Sequence, residues 1–243
     1  MSQVWRGWCL LRPGILLYGG AIGTTRPHAH HAIHLIVSAE PFTMADAHGG
    51  RVTTRAAVVP SDTGHAIVAG ARGALLAQIE PRSEPGRFLL ARSGAGAEAA
   101  SWGVPAEAFA FPGDPAEAAI ALKGVEAWTG EPATVHPAVE VAMAVIPTLL
   151  VGGPVRLEAV AAAAHLSPSR LAHLFSAQVG IPLRPYVRWQ RIQHAIRLVA
   201  AGESLTMAAH HAGFTDGPHF TRVFQRTFGA APSTYAAAID WLP

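Results

Sequence analysis

Near the C-terminus, apolar positions recur at helical spacing. In GFTDGPHFTRVFQRTFG (213–229), Phe220, Val223, Phe224 and Phe228 follow one another at intervals of three, one and four. That rhythm predicts a helix with one buried face, and the opposite face carries His219, Arg222, Gln225 and Arg226. The pattern nearer the N-terminus is different. HAIHLIVS (31–38), RVTTRAAVV (51–59) and ALLAQIE (74–80) are short and rich in branched apolar residues, with turn signals at Gly49-Gly50, Pro60 to Gly64 and Gly70 to Gly73. They predict a small antiparallel barrel or sandwich. From about Asp114 the rhythm becomes helical, with Asp114 as N-cap and Pro115 at the first helical position. GEPATVHP (130–137) then reads as a hinge, and everything after it as helix.

The helical part contains one unit twice. LEAVAAAAHLSPSRLAHLFSAQVG (157–180) and LTMAAHHAGFTDGPHFTRVFQRTFG (205–229) each give an alanine-bearing helix, a tight turn and a second helix ending in Phe, four residues and Gly. Phe175 and Gly180 correspond to Phe224 and Gly229, and a tyrosine follows six residues later in each copy, at Tyr186 and Tyr235. Ala161 and Ala209 allow close approach of the paired helices, and Gly213 suits the left-handed conformation of such a turn. Ser167-Pro168 and Thr215 or Asp216 before Pro218 are start signals for the second helices. Each copy is a helix-turn-helix, whose second helix can enter a major groove. Between them PLRPYVRWQRIQHAIRLVAAG predicts a helix of about 18 residues, about 27 Å long. Such a rod suits two recognition helices in successive major grooves, about 34 Å apart.

Composition narrows the classes. In 243 residues, 50% apolar and 14% charged, there is material for one large domain or two ordinary ones and little reason for disorder. The N-terminal apolar stretch is broken by Arg12 and Pro13 and no small-residue cleavage site follows, so a cytoplasmic protein without a membrane span is expected. Cys9 is the only cysteine, which excludes an internal disulfide and a thiolate metal cluster. The net charge of +2 hides an asymmetry: residues 135–243 hold eight arginines, no lysine and five acids. Arginine's planar fork suits phosphate and guanine, which supports a nucleic-acid partner.

Residues 137–240 resemble the DNA-binding domain of the AraC/XylS family of transcription regulators. The diagnostic run is carried by Ala209, Gly213-Phe214, Asp216, Phe220, Phe224, Gly229, Pro232 and Tyr235. Two positions depart from the family pattern: His165 stands where the first turn usually has glycine, and Gly217-Pro218 open the second recognition helix in place of polar residues. The resemblance implies double-stranded DNA as partner, contacted by Ser167, Ser169, Arg170 and His173 from the first recognition helix and Gly217, His219, Arg222 and Arg226 from the second. Within that set Arg222 is assigned to a base, and Arg170 and Arg226 to phosphates, with Arg184, Arg188 and Arg191 as further backbone contacts. It also implies a contact with RNA polymerase, and a homodimer formed through 114–128.

A second cluster lies upstream. PHAHHAIHLIV places His28, His30, His31 and His34 within seven residues, and PSDTGH adds His65 after a turn. In an extended strand His28, His30 and His34 share a face, opposite His31, Ile33 and Leu35. The two segments resemble the paired cupin motifs, with His34 where a glutamate is usual. His28, His30, His34 and His65 are therefore candidate ligands for a divalent transition metal, with a metal-free effector pocket or a structural lining as open alternatives. The expected fold is α+β: a cupin-like antiparallel barrel (1–112), a helical linker or dimerisation helix (113–134) and a bipartite helix-turn-helix domain (135–243). The expected function is a transcription regulator controlled by a small-molecule or metal effector, not an enzyme. Its rivals are a metal-dependent cupin enzyme with a helical passenger, and a repair regulator with an alkyl-accepting cysteine.

Overall fold

The computed structural model describes residues 5–109, 117–131, 134–151, 153–236 and 238–242. Asp114 and Pro115, the expected helix start, lie outside the described residues. Packing divides the chain into two compact units, Met1–Pro132 with Arg222–Pro243, and Ala133–Thr221.

The first unit is built on one seven-stranded sheet. β1 (Arg6–Arg12) and β2 (Ile15–Ile22) form an antiparallel hairpin turned by Pro13 and Gly14, with Gly14 at φ 73°. Of the residues that interrupt the N-terminal apolar stretch, Arg12 ends β1 and Pro13 lies in the turn. β3 (Ile33–Asp46) pairs with three other strands. Over Ile33–Ser38 it pairs with β6 (Ala71–Ile79), along most of its length with β4 (Arg51–Val59), and over Thr43–Asp46 with β5 (His65–Ala69). The register of β3 against β4 shifts between Val37 and Phe42, the mark of a bulge. The order β4-β3-β6-β2-β1-β7 does not close, so in place of the barrel expected from the strand pattern the described residues form an open sheet. The helical C-terminal part also ends differently from expectation. Ile239–Leu242 is a strand, β7, which pairs parallel with β1.

Alternation along β3 feeds two cores. Ile33, Leu35 and Val37 join Leu75, Ala77 and Ile79 beneath helices α1 (Glu84–Ser93) and α2 (Ala118–Glu126), which contribute Leu89, Ala121 and Val125. Ile36, Phe42 and Met44 join Ile22, Ile67, Leu76 and Trp102 on the other face. α2 thus turns its apolar side into its own unit's core.

The second unit contains α3 (Pro137–Val151), α4 (Leu157–Ala163), α5 (Pro168–Val179), α6 (Leu183–Ala200) and α7 (Leu205–His211). Val139, Ile146, Val160, Leu171, Phe175 and Tyr186 form its core. α8 (Gly217–Phe228) begins here, whereas its last seven residues and α9 (Pro232–Ala236) pack within the first unit. Among the described residues no helix is long and apolar enough to cross a membrane.

Candidate DNA-reading helices and a buried histidine cluster

The sequence repeat is also a repeat of backbone geometry. After α4, the His165 N–H donates to Ala162 O and the Leu166 N–H to Ala161 O, at 3.1 and 3.0 Å. After α7, Gly213 N–H donates to His210 O and Phe214 N–H to Ala209 O, at 2.9 and 3.0 Å. Both turns pass through the left-handed region, His165 at φ 54° and Gly213 at φ 77°. The histidine that departs from the family pattern therefore adopts the glycine-like conformation. Each following helix is capped by a side chain: Ser167 Oγ accepts from Arg170 N–H, and Asp216 Oδ1 from His219 N–H. Gly180 and Gly229 close the two helices in left-handed geometry.

Capping and the buried stripes decide which side chains face water. On α5, Leu171 and Phe175 are buried, while Ser167, Ser169, Arg170 and His173 are exposed. On α8, Phe220, Val223, Phe224 and Phe228 are buried, Arg222 and Arg226 exposed, and Gly217 and His219 half-buried. In α6, Arg184 and Arg188 are exposed. Arg191 instead tucks its guanidinium against the Gly213 turn, where burial lowers its pKa.

In the first unit three histidines converge from two segments. His28 and His65 form an isolated antiparallel bridge, each donating its backbone N–H to the other's carbonyl at 2.9 and 2.8 Å. His30 lies two residues on, and one ring nitrogen from each of His28, His30 and His65 lies within 4.8 Å of the others. Their exposures are 7%, 4% and 2%. Each Nδ1 faces a carbonyl two residues away: Arg26 O at 2.8 Å, Ala32 O at 3.0 Å and Thr63 O at 2.8 Å. Carbonyls only accept, so these Nδ1 atoms carry the protons and each Nε2 is left with its lone pair. His34, the fourth candidate, is not in this trio. Its Nδ1 lies 3.2 Å from His65 Nε2, as a donor to that lone pair. Burial, reinforced by repulsion from His65, holds the His28 imidazole down at about 3 and the His30 and His34 imidazoles well below their usual range; burial alone depresses that of His65. All four are neutral at pH 7.

His31 points elsewhere, as the alternation predicts, and its Nδ1 meets Asp62 Oδ2 at 2.9 Å. Asp62 and Arg26 were not singled out by sequence reasoning, and Gly229 was marked only as the residue that closes the second helix of the repeat. Arg26 uses both its backbone groups, accepting from His28 at its carbonyl and donating its N–H to Gly229 O at 2.9 Å. The Arg26–Gly229 bond joins main-chain groups about two hundred residues apart, which no side-chain pattern along the sequence marks.

Residues 160–238 match the family described as helix-turn-helix domain. The chain is 38% identical over 76 residues to the arabinose operon regulatory protein of Salmonella typhimurium, covering 31% of this chain and 27% of that protein. It is 31% identical over 86 residues to the HTH-type transcriptional activator RhaR of Pectobacterium atrosepticum, covering 35% and 30%. The match thus spans under a third of the length of these curated relatives, one named as a regulatory protein and the other as a transcriptional activator. ToxT from Vibrio cholerae shares the fold over 93% of this chain and 98% of its own, with a TM-score of 0.54 at 12% identity. A further crystal structure of ToxT, in its unsaturated-fatty-acid-bound form, covers 93% and 96% at a TM-score of 0.54 and 11% identity.

Proposed function

We propose, from residues 160–238 as an AraC-type helix-turn-helix domain, that this chain is a sequence-specific transcription regulator whose N-terminal unit binds an effector. The observation that carries the reading is the duplicated turn, with the same pair of hydrogen bonds and the same left-handed residue after α4 and after α7. Two such modules on one polypeptide supply two recognition helices, with an 18-residue α6 between them. The expected partner is double-stranded DNA, read by Arg222 and held at the backbone by Arg170 and Arg226. Ser167, Ser169, His173, Gly217 and His219 complete the contact surface. Few of these side chains can bridge two atoms of a base, so DNA shape carries part of the specificity. The effector part corresponds to 1–112, the linker to 113–134 and the DNA-binding part to 135–243. Self-association through the linker would use the side of α2 bearing Ala119, Lys123 and Glu126, since the other side is buried. RNA polymerase is the remaining partner this reading implies.

Selection of bound duplexes from a random pool by the purified full chain tests the proposal. Enrichment of two short elements centred about 10 base pairs apart is the expected result. A pool that stays random after repeated rounds, at salt low enough for retention, refutes it.

A further inference from the structure

We infer that His28, His30 and His65 form a three-imidazole site for a divalent late first-row transition ion, and that its occupancy acts on the C-terminal end of α8 through Arg26 and Gly229. The inference rests on the effector-binding reading above and names the effector's chemical class.

Three observations point to a metal. The histidines come from separate segments and bring one nitrogen each within 4.8 Å of the others, in a buried space. Every Nδ1 is spent on a carbonyl, which fixes ring orientation and tautomer in the way that supports a metal-ligating imidazole and turns Nε2 into the donor atom. The set holds neither carboxylate nor thiolate, so it favours ions that accept neutral nitrogen donors, zinc first among them, over calcium or magnesium. Tetrahedral zinc with nitrogen ligands at about 2.0–2.1 Å needs nitrogen separations of about 3.4 Å, so nitrogens up to 4.8 Å apart close by up to about 1.4 Å as the ion binds. Three protein ligands leave a fourth position. His34, whose Nδ1 already lies against His65 Nε2, is the nearest side chain to exchange with the ion for that lone pair.

The route outward is short. Arg26 accepts from the His28 ring and donates its N–H to Gly229, the residue that closes α8. Contact here is close enough that a Cβ on Gly229 would lie 2.5 Å from Arg26 O and 2.7 Å from His28 Nδ1. Phe228 lies with its ring centre 6.1 Å from that of His30. An ion that fixes the rings of His28 and His30 therefore restrains the end of the helix that bears Arg222 and Arg226.

The test uses the full chain, purified without an affinity tag and freed of metal by a chelator. Titration with Co²⁺ as a spectroscopic probe, and with Zn²⁺ in competition, should give one ion per chain and visible bands of tetrahedral nitrogen coordination. His28→Ala, His30→Ala and His65→Ala should each weaken binding at least about tenfold, whereas His48→Ala, on an exposed turn, should not. Hydrogen exchange with and without Zn²⁺ then reads the link, and amides of 222–230 should slow about fivefold or more when the ion is bound. Should a histidine variant fail to fold, the exchange experiment on the unmodified chain still decides. Binding that is substoichiometric, or unchanged in the folded histidine variants, overturns the site. Saturation without protection at 222–230 overturns the link to α8. Neither measurement involves DNA, so failure here leaves the regulator reading standing, and a random pool in the selection leaves the metal result standing.

Discussion

Cys9 shows how a single residue's setting separates rival functions. It sits on β1 opposite Tyr18 of β2, 2% exposed, and burial pushes its thiol up to about 12. At pH 8 the thiolate fraction is then on the order of one in ten thousand. Reaction of the native chain with a thiol reagent at pH 8 should run at least about a hundredfold slower than that of a free thiol and become complete on denaturation. Rapid labelling of the folded chain would reopen the alkyl-acceptor reading that this burial argues against. On α8 the residue-scale contrast is between two exposed arginines. As a base-reading side chain, Arg222 should cost about 1–3 kcal/mol of affinity for a selected site when changed to alanine, with little effect on random DNA. Arg226→Ala should weaken both alike and lower the salt slope by about one. Anisotropy titrations across a salt series decide; equal losses on both DNAs for Arg222→Ala would return it to the backbone class. Side-chain identity alone put these positions forward in the sequence. It also made the histidines legible as a set, but not their division into a trio plus a separate His34, which depends on which carbonyls the Nδ1 atoms meet.

At the scale of elements, helices were easier to read than strands. The stripe Phe220, Val223, Phe224, Phe228 is long enough to specify period and face, and all four side chains are buried. β4 matches its expected span because RVTTRAAVV stands between clear turns. β1, β2, β5 and β7 had no such periodicity. RGWCLLR and ILLYGGAI are continuous apolar runs that a buried strand and a buried helix share, and IDWL becomes a strand only because β1 offers it an edge. The α4–α5 turn was readable through its departure from pattern. His165 is held at φ 54°, a conformation that costs an L-residue about 1–2 kcal/mol, against about 0.5–1 kcal/mol of extra unfolded-state freedom for glycine. His165→Gly should thus stabilise the chain by about 0.5–1 kcal/mol, while Gly213→Ala, at φ 77°, should destabilise it by about 1 kcal/mol or more. Urea unfolding measures both. A destabilised His165→Gly would mean that the imidazole contributes contacts outweighing the backbone cost.

At the scale of the whole molecule, strands far apart in sequence pair: β1 lies beside β7. The first unit is discontinuous in sequence: Arg222–Pro243 packs with Met1–Pro132. β7 extends the sheet beside β1, Leu242 packs against the core beneath α1 and α2, and Tyr235 and Ile239 pack against the core on the other face. Trp5 bridges Tyr18 and Tyr235 edge-on, with ring centres 5.4 and 5.1 Å away. Such aromatic pairs are worth about 0.5–1.5 kcal/mol each beyond the area they bury. Cutting the chain at the hinge would remove these contacts and expose β1 as an apolar edge. The fragment 1–132 should therefore melt at least about 5 °C below the same unit in the full chain, or aggregate, because losses of a few kcal/mol are a large share of a domain's stability. Adding a peptide of residues 222–243 in trans should restore part of the loss, and circular dichroism melts with and without the peptide read both effects. If the fragment alone is as stable as the full chain and ignores the peptide, the C-terminal segment is an accessory to the sheet, and the route from the histidines to α8 loses its mechanical basis.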